Sequence, residues 1–384
     1  MAGSIEHVVI IVKENHTFDN YFGRFTSAAG ARLARAANPP PDDPDHRHQA
    51  WMTRATDKAH RLGYRKADIP GYWNLARRFT VCDRYFSEVA GPSTPNHLML
   101  ICADAPIINN PHHHYRPQPA DRYELPSLPI ALENKDLTWA NYGGYAFRYI
   151  ASLVGHHRNR PSEMFAQHAR QGNLPTVSWV YGEAGPGLSE HPRENVTVGM
   201  QWTIDQVNAV AAGGLWDKVA IFITWDDWGG WSDHVKPPVK ERWHHTHAQR
   251  PADAHPEFDG QPFRFGSRVP CLVLSPYAKP RHICSQENSH VSILKFCEDT
   301  FGLQPLTDPR RPVQRDERLF RPHPEPTPCT LTTLRTAASR PWPVADDNPA
   351  PLNLAARSAS RLRFEYAGHR IGMRASNALT SAEE

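Results

Sequence analysis

What this sequence lacks narrows it first. Its six cysteines, Cys82, Cys102, Cys271, Cys284, Cys297 and Cys329, include no CxxC pair. In 384 residues that spacing argues for core thiols over a disulfide framework or a thiolate zinc site. No apolar run approaches the roughly 18 residues that cross a bilayer, so no transmembrane segment is expected. The formal charge is only +3, and no basic stripe interleaved with aromatics occurs, which argues against nucleic acid or an anionic membrane as partner. Met1-Ala2-Gly3-Ser4 passes directly into an apolar strand, without a basic and then apolar leader. A cytoplasmic protein is therefore expected, unless a leader has been removed.

What is plentiful is Pro (36), His (22) and Trp (11). Proline at about twice its usual share predicts long ordered loops, and the histidines and tryptophans suggest polar concave surfaces more than a larger core. Short apolar runs, "HVVIIV", "LTWANY", "LPTVSWV", "DKVAIFITW" and "VPCLVLS", alternate with helical stretches such as "IPGYWNLARRF", "PSEMFAQHARQ", "VGMQWTIDQVNAVAAGG" and "HVSILKFCEDTFGL". That alternation predicts an α/β layered fold with a mainly parallel sheet. We expect one domain over 1–325, with loop insertions at 28–66 and 236–264, and a Pro/Ala/Ser/Arg-rich tail over 326–384.

Two strands end in the same unusual way. Val8 to Val12 is β-branched and unbroken, which suits a strand buried on both faces, and it stops on Glu14-Asn15. Val219 to Ile223 likewise runs into Asp226-Asp227, followed by Gly229-Gly230. Ligands in open α/β sheets bind beyond the carboxyl ends of strands, so parallel neighbours would bring both pairs to one edge. Either pair alone is as well explained as a turn cap or an arginine partner. Together, three carboxylates repel and raise one another's pKa unless a cation lies between them, and the Asn15 amide oxygen would complete an all-oxygen shell.

The segment "EVAGPSTPNHLML" offers a nucleophile. Gly91-Pro92 forces a turn before Ser93-Thr94, and a helix beginning there surrounds its first hydroxyl with unpaired N–H groups that suit an anion. A plain N-cap explains the same residues. Histidines stand at other strand ends: His191 in "SEHP" after "PTVSWVY", with His156, His157 and His234 as further candidates. The clusters at 112–114 and 244–247 look metal-like but lie in proline-rich loops without a fixed partner.

The blocks "EHVVIIVKENHTFDNYFG", "FTVCDRYFSEVAGPSTPNHLML", "LPTVSWV" with "SEHP", "ITWDDWGGWSDHV", and "RVPCLVLSPYAKP" with "NSHVSILKFCEDTFGL" are specific in content and order. Over residues 4 to 320 they resemble the bacterial phosphoesterase family, which holds the phosphatidylcholine-hydrolysing phospholipases C and a respiratory-burst-inhibiting acid phosphatase. The resemblance implies an alkaline-phosphatase-like fold. It also implies one divalent metal ion (Ca, Mg, Mn or Zn) held by Glu14, Asn15, Ser93, Asp226 and Asp227, with Ser93 the nucleophile. His191 matches a substrate-contacting histidine that aids the leaving group, and His157, with His156 beside it, matches histidines on the substrate phosphate. Asn96 is expected among the nearby donors.

The implied activity is phosphate-ester hydrolysis through a phosphoseryl intermediate, on a small phosphate ester or phospholipid head group. A phospholipase C-like phosphodiesterase is favoured, with an acid phosphatase-like monoesterase as the alternative. A protein that keeps the fold but only binds metal or a phospho-ligand is the competing class. Trp225, Trp228 and Trp231 beside the proposed metal lean the expectation toward a choline diester. The absence of a visible leader and of carboxyl-terminal β domains leans it away from a lipid surface. His16 stands where the family often has arginine.

Overall fold

β-Branched and aromatic residues build the centre of the molecule, because their stiff side chains pack well on a pleated surface with no water on either side. A computed structural model describes residues 5–54, 60–113, 115–182 and 187–306. The expected tail lies outside the described residues, as do His114 and Cys329. The central sheet has eight strands: β1 His7–Lys13, β2 Thr80–Cys82, β3 Trp139–Tyr142, β4 Asn159–Arg160, β5 Val177–Tyr181, β6 Val219–Trp225, β7 Cys271–Leu274 and β8 His282–Cys284. Their spatial order is β8-β2-β7-β6-β1-β5-β3-β4, and only β7 runs against the others.

β1 lies between β5 and β6, parallel to both, and Val8 to Ile11 are wholly buried. Strands covered on both faces need apolar residues at every position, and "HVVIIV" and "VAIFITW" are continuous runs for that reason. The predicted helices form at Pro70–Arg78 (α1), Ser93–Cys102 (α2), Met164–Arg170 (α3), Val196–Ala212 (α4) and His290–Phe301 (α5). They pack in two groups, with α1 and α3 on α4, and α5 on α2. Local chemistry sets their ends. Asn195 accepts from the Thr197 N–H to start α4, Ser289 and Ser292 cap α5 reciprocally, and Gly302 closes α5 in the left-handed conformation.

The result is the expected α/β layered fold with a mainly parallel sheet flanked by helices. Both proline-rich segments are ordered wherever they are described. Residues 28–66 carry a short helix, His48–Thr53, and a two-stranded pair, and 236–264 form a small hairpin through Glu241–Arg242 and Pro262–Arg264. Cys82, Cys102, Cys271 and Cys297 are buried free thiols, as the spacing predicts, but Cys284 is disulfide-bonded, which the spacing does not reveal.

Candidate active site

The register of β1 and β6 decides where the polar residues go. Lys13 pairs with Trp225, so Glu14 and Asp226 leave the same sheet edge together. The Asp226 N–H donates to the Lys13 carbonyl at 2.9 Å, and the Asn15 N–H returns a bond to Asp226 Oδ1 at 2.9 Å. Asp226 Oδ1 also accepts from the Asp227 N–H at 2.7 Å, which leaves Oδ2 free to face inward. Asn15 takes this position with φ 64, a left-handed conformation that asparagine tolerates. Gly229 makes room for it: a Cβ there would lie 2.1 Å from the Asn15 carbonyl oxygen, and its own φ is 56.

Ser93 is the first residue of α2 and is 1% exposed. Its Oγ donates toward Asp227 Oδ2 at 3.0 Å and lies 3.3 Å from Asn15 Oδ1. The Thr94 hydroxyl faces the other way, toward the Tyr145 hydroxyl at 3.1 Å, while the Thr94 N–H donates to Asn110 Oδ1 at 2.8 Å. The two hydroxyls that the sequence left undivided therefore have different jobs, and Ser93 is the one at the carboxylates. Glu14, Asn15, Ser93, Asp226 and Asp227 form one buried cluster.

His191 is half-buried in the loop after β5, and its ring lies 6.2 Å from that of His46, T-shaped. The loop docks on the cluster through the Glu14 N–H, which donates to the Ser189 carbonyl at 3.0 Å. Asn96 is not a donor to substrate. Its Oδ1 accepts from the Val89 N–H at 2.8 Å and its Nδ2 donates to the Pro92 carbonyl at 2.9 Å, so it holds the turn that presents Ser93.

His157 is not brought to the cluster. It precedes β4 and stacks on His156, which packs on Trp139, the first residue of β3. That is the amino edge of the sheet, opposite the carboxyl edge where the acids gather. The three tryptophans are 0 to 3% exposed: Trp225 packs on Tyr21 and Tyr72, Trp228 on Trp51, and Trp231 stacks on His16. None offers an open face to a choline group.

A family model described as "Phosphoesterase family" matches residues 5–41 and 42–304. The chain belongs to the phosphoesterase family. Phospholipase C B of Mycobacterium tuberculosis is 26% identical across 78% of this phosphoesterase and 74% of the relative. Non-hemolytic phospholipase C of Pseudomonas aeruginosa is 27% identical across 95% of this chain and 66% of its own length. The solved lipoteichoic acid synthase LtaP of Listeria monocytogenes is 11% identical, with a TM-score of 0.44, over 79% of this chain and 73% of that one.

Three site residues of this phosphoesterase escape a reading of its sequence. His97, one helical turn beyond Ser93, is fully buried, with Nε2 3.3 Å from Asp226 Oδ2 and 3.6 Å from Glu14 Oε1. The i, i+4 spacing from Ser93 is its only sequence signal. His46, from the 28–66 insertion, has Nε2 3.3 Å from Asn15 Nδ2. His290, the first residue of α5, donates from Nε2 to the Asp226 carbonyl at 2.6 Å while Nδ1 takes the Tyr85 hydroxyl at 3.0 Å.

Behind the cluster lies a buried ion pair. Lys13 Nζ is 3.3 Å from Glu190 Oε1, both side chains wholly out of water. Glu190 also accepts from the hydroxyls of Tyr21 and Tyr72 and from Trp225 Nε1. Burial pulls the Lys13 pKa down and pushes Glu190 up, against their mutual attraction. Arg268 plays the same part for Asp19 and Asp233, meeting them at 3.1 and 2.8 Å, so the donor group that those acids form with His234 already holds a cation.

The main cluster has no such built-in charge for all of its acids. Burial first, and then the Asp226 charge, push Asp227 well above the carboxylate range. Glu14 Oε2, Asp226 Oδ2 and both ring nitrogens of His97 are buried without a hydrogen-bond partner among the described residues. Unpaired buried donors and acceptors of this kind cost free energy, and a divalent cation would satisfy them at once. The residues therefore fit the metal that the family resemblance implies. In a second group, His244, His245 and Asp259, the first and last are exposed and His245 is half-buried, and His245 already donates to Asp259 from both N and Nδ1 at 2.6 Å.

Proposed function

We propose that this phosphoric ester hydrolase cleaves a phosphodiester in the manner of a phospholipase C, with Ser93 as nucleophile. The observation that carries the proposal is the position of Ser93 Oγ. It starts a helix and lies 3.0 Å from Asp227 Oδ2 and 3.3 Å from Asn15 Oδ1, in a buried nest of three carboxylates. The phospholipase C names of the relatives support the diester.

Glu14, Asn15, Ser93, Asp226 and Asp227 would hold a divalent cation, which when bound lowers the pKa of the serine hydroxyl and offsets charge on the phosphoryl oxygens. Ser93 Oγ attacks phosphorus, its proton passing to Asp227 Oδ2, and the bond from phosphorus to the departing alkoxide breaks. His191 gives that alkoxide a proton. Water then adds to the phosphoserine from the vacated side, with His191 taking its proton, and the bond from phosphorus to Ser93 Oγ breaks as Asp227 returns the serine proton. Lys13 and Glu190 keep the His191 loop in place.

A monoester is the second reading, favoured by a specific observation: with all three tryptophans buried, the side chains beside Asn15 include the imidazole of His46 at 3.3 Å, with the His191 ring 6.2 Å from that of His46, and imidazoles suit a dianion better than a quaternary ammonium. Turnover of p-nitrophenylphosphorylcholine against p-nitrophenyl phosphate tests this. A diesterase shows kcat/KM at least tenfold higher on the former, and the reverse ratio overturns the diester.

A further inference from the structure

The donor set is not all oxygen. His97 reaches the cluster from α2, with its ring wedged between Tyr145 and Tyr181 at centroid distances of 5.2 and 5.4 Å. Packing, rather than a hydrogen bond, fixes where its nitrogens point. Nε2 lies 3.3 Å from Asp226 Oδ2 and 3.6 Å from Glu14 Oε1; the second is too long for a hydrogen bond, and Nε2 and Asp226 Oδ2 have no well-formed hydrogen bond among the described residues. A protonated imidazole clasped by two carboxylates would donate along one of those lines. Donors about 2.1 Å from a shared ion instead sit about 3.0 to 3.4 Å apart across octahedral and tetrahedral edges, without pointing at one another. The nitrogen and the two carboxylate oxygens lie within 4.8 Å of one another.

Resting on the metal-dependent reading above, we propose that His97 Nε2 is a direct ligand of the active-site cation, and that this nitrogen selects a borderline first-row ion of the zinc class over calcium or magnesium. Calcium takes six to eight oxygens at longer distances, and magnesium prefers oxygen and keeps its waters. Neutral imidazole suits zinc and its neighbours. Ser93 and His97 occupy one face of one helical turn, so a single element delivers both the nucleophile and the selecting ligand.

The test uses full-length protein, stripped with chelator until elemental analysis shows it metal-free, and then titrated calorimetrically with Zn²⁺, Mn²⁺, Ca²⁺ and Mg²⁺. Zinc should bind at least 1,000-fold tighter than calcium or magnesium. His97→Gln should weaken zinc binding by about 100-fold and change calcium binding less than threefold. X-ray absorption on the zinc-loaded wild type should show imidazole scattering that persists in His46→Ala. No imidazole in the wild type overturns the proposal even if His97→Gln fails to fold, and equal zinc affinity in a folded His97→Gln overturns it as well. If no ion binds the stripped wild type while it still hydrolyses ester, the metal-dependent reading itself falls. If ions bind with calcium or magnesium preferred, only the His97 assignment falls.

Discussion

Ser93 and Asp227 meet at 3.0 Å across 134 residues of chain, the hydroxyl of a helix start against the carboxylate beyond a strand end. The contact joins the proposed nucleophile to the acid that would take its proton.

Removing either partner should abolish turnover for a chemical reason rather than a structural one. Ser93→Ala and Asp227→Asn should each lower kcat by 1,000-fold or more, with unfolding midpoints near that of the wild type. Acid quench with a ³²P-labelled substrate should trap label on the wild type and none on Ser93→Ala. Undiminished turnover in Ser93→Ala would exclude the covalent route.

The Lys13–Glu190 pair should behave as a unit. Lys13→Met or Glu190→Gln alone leaves a buried charge unmatched and should cost about 3 to 5 kcal/mol in denaturant unfolding. The double variant should lose clearly less than the sum of the two. Simple additivity would mean that the charges do not stabilise each other.

Gly229→Ala should damage the site without touching any proposed ligand. The new Cβ would press on the Asn15 carbonyl at 2.1 Å in a backbone conformation with φ 56, so Asn15 must move. Loss of more than about 1 kcal/mol of stability and of at least tenfold in kcat is expected. Wild-type values for both would mean that the turn yields freely.

Stability should fall in mild acid. His48 is buried with Nδ1 donating to the Ala90 carbonyl at 2.6 Å, and Nε2 has no partner among the described residues. Burial pulls its pKa below the ordinary value of 6.5. The unfolded chain then binds this proton first, so unfolding free energy declines as pH drops below about 6.5, by at most about 1.4 kcal/mol per pH unit for one group. Above that pH the contribution is complete. His48→Gln should flatten this part of the profile, and an unchanged slope would place the acid sensitivity elsewhere.

The part of the site that the sequence reveals is the part built by strands. Two runs of buried β-branched residues, each ending in acid, fix both the sheet and the edge at which Glu14, Asn15, Asp226 and Asp227 converge. Ser93 is legible because Gly91-Pro92 marks its turn, whereas Thr94 is separated from it only by Asn110 and Tyr145, which no local pattern supplies. His97 hides in an apolar helix, and His46 sits in a proline-rich loop without periodicity. His157 misleads for a related reason: two histidines beside a short strand look alike whether they precede or follow it, and only the pairing of β4 with β3 shows that they precede it. The tryptophans mislead because proximity in sequence to a strand end says nothing about which face they cover.

The bond from His290 to the Asp226 carbonyl has a consequence for synthesis. The acid made at position 226 is steadied by a helix that begins at position 290, near the end of the described chain. A nascent polypeptide still missing α5 carries Asp226 without that brace, so any chemistry that needs this acid in place belongs to the finished protein and not to the growing one.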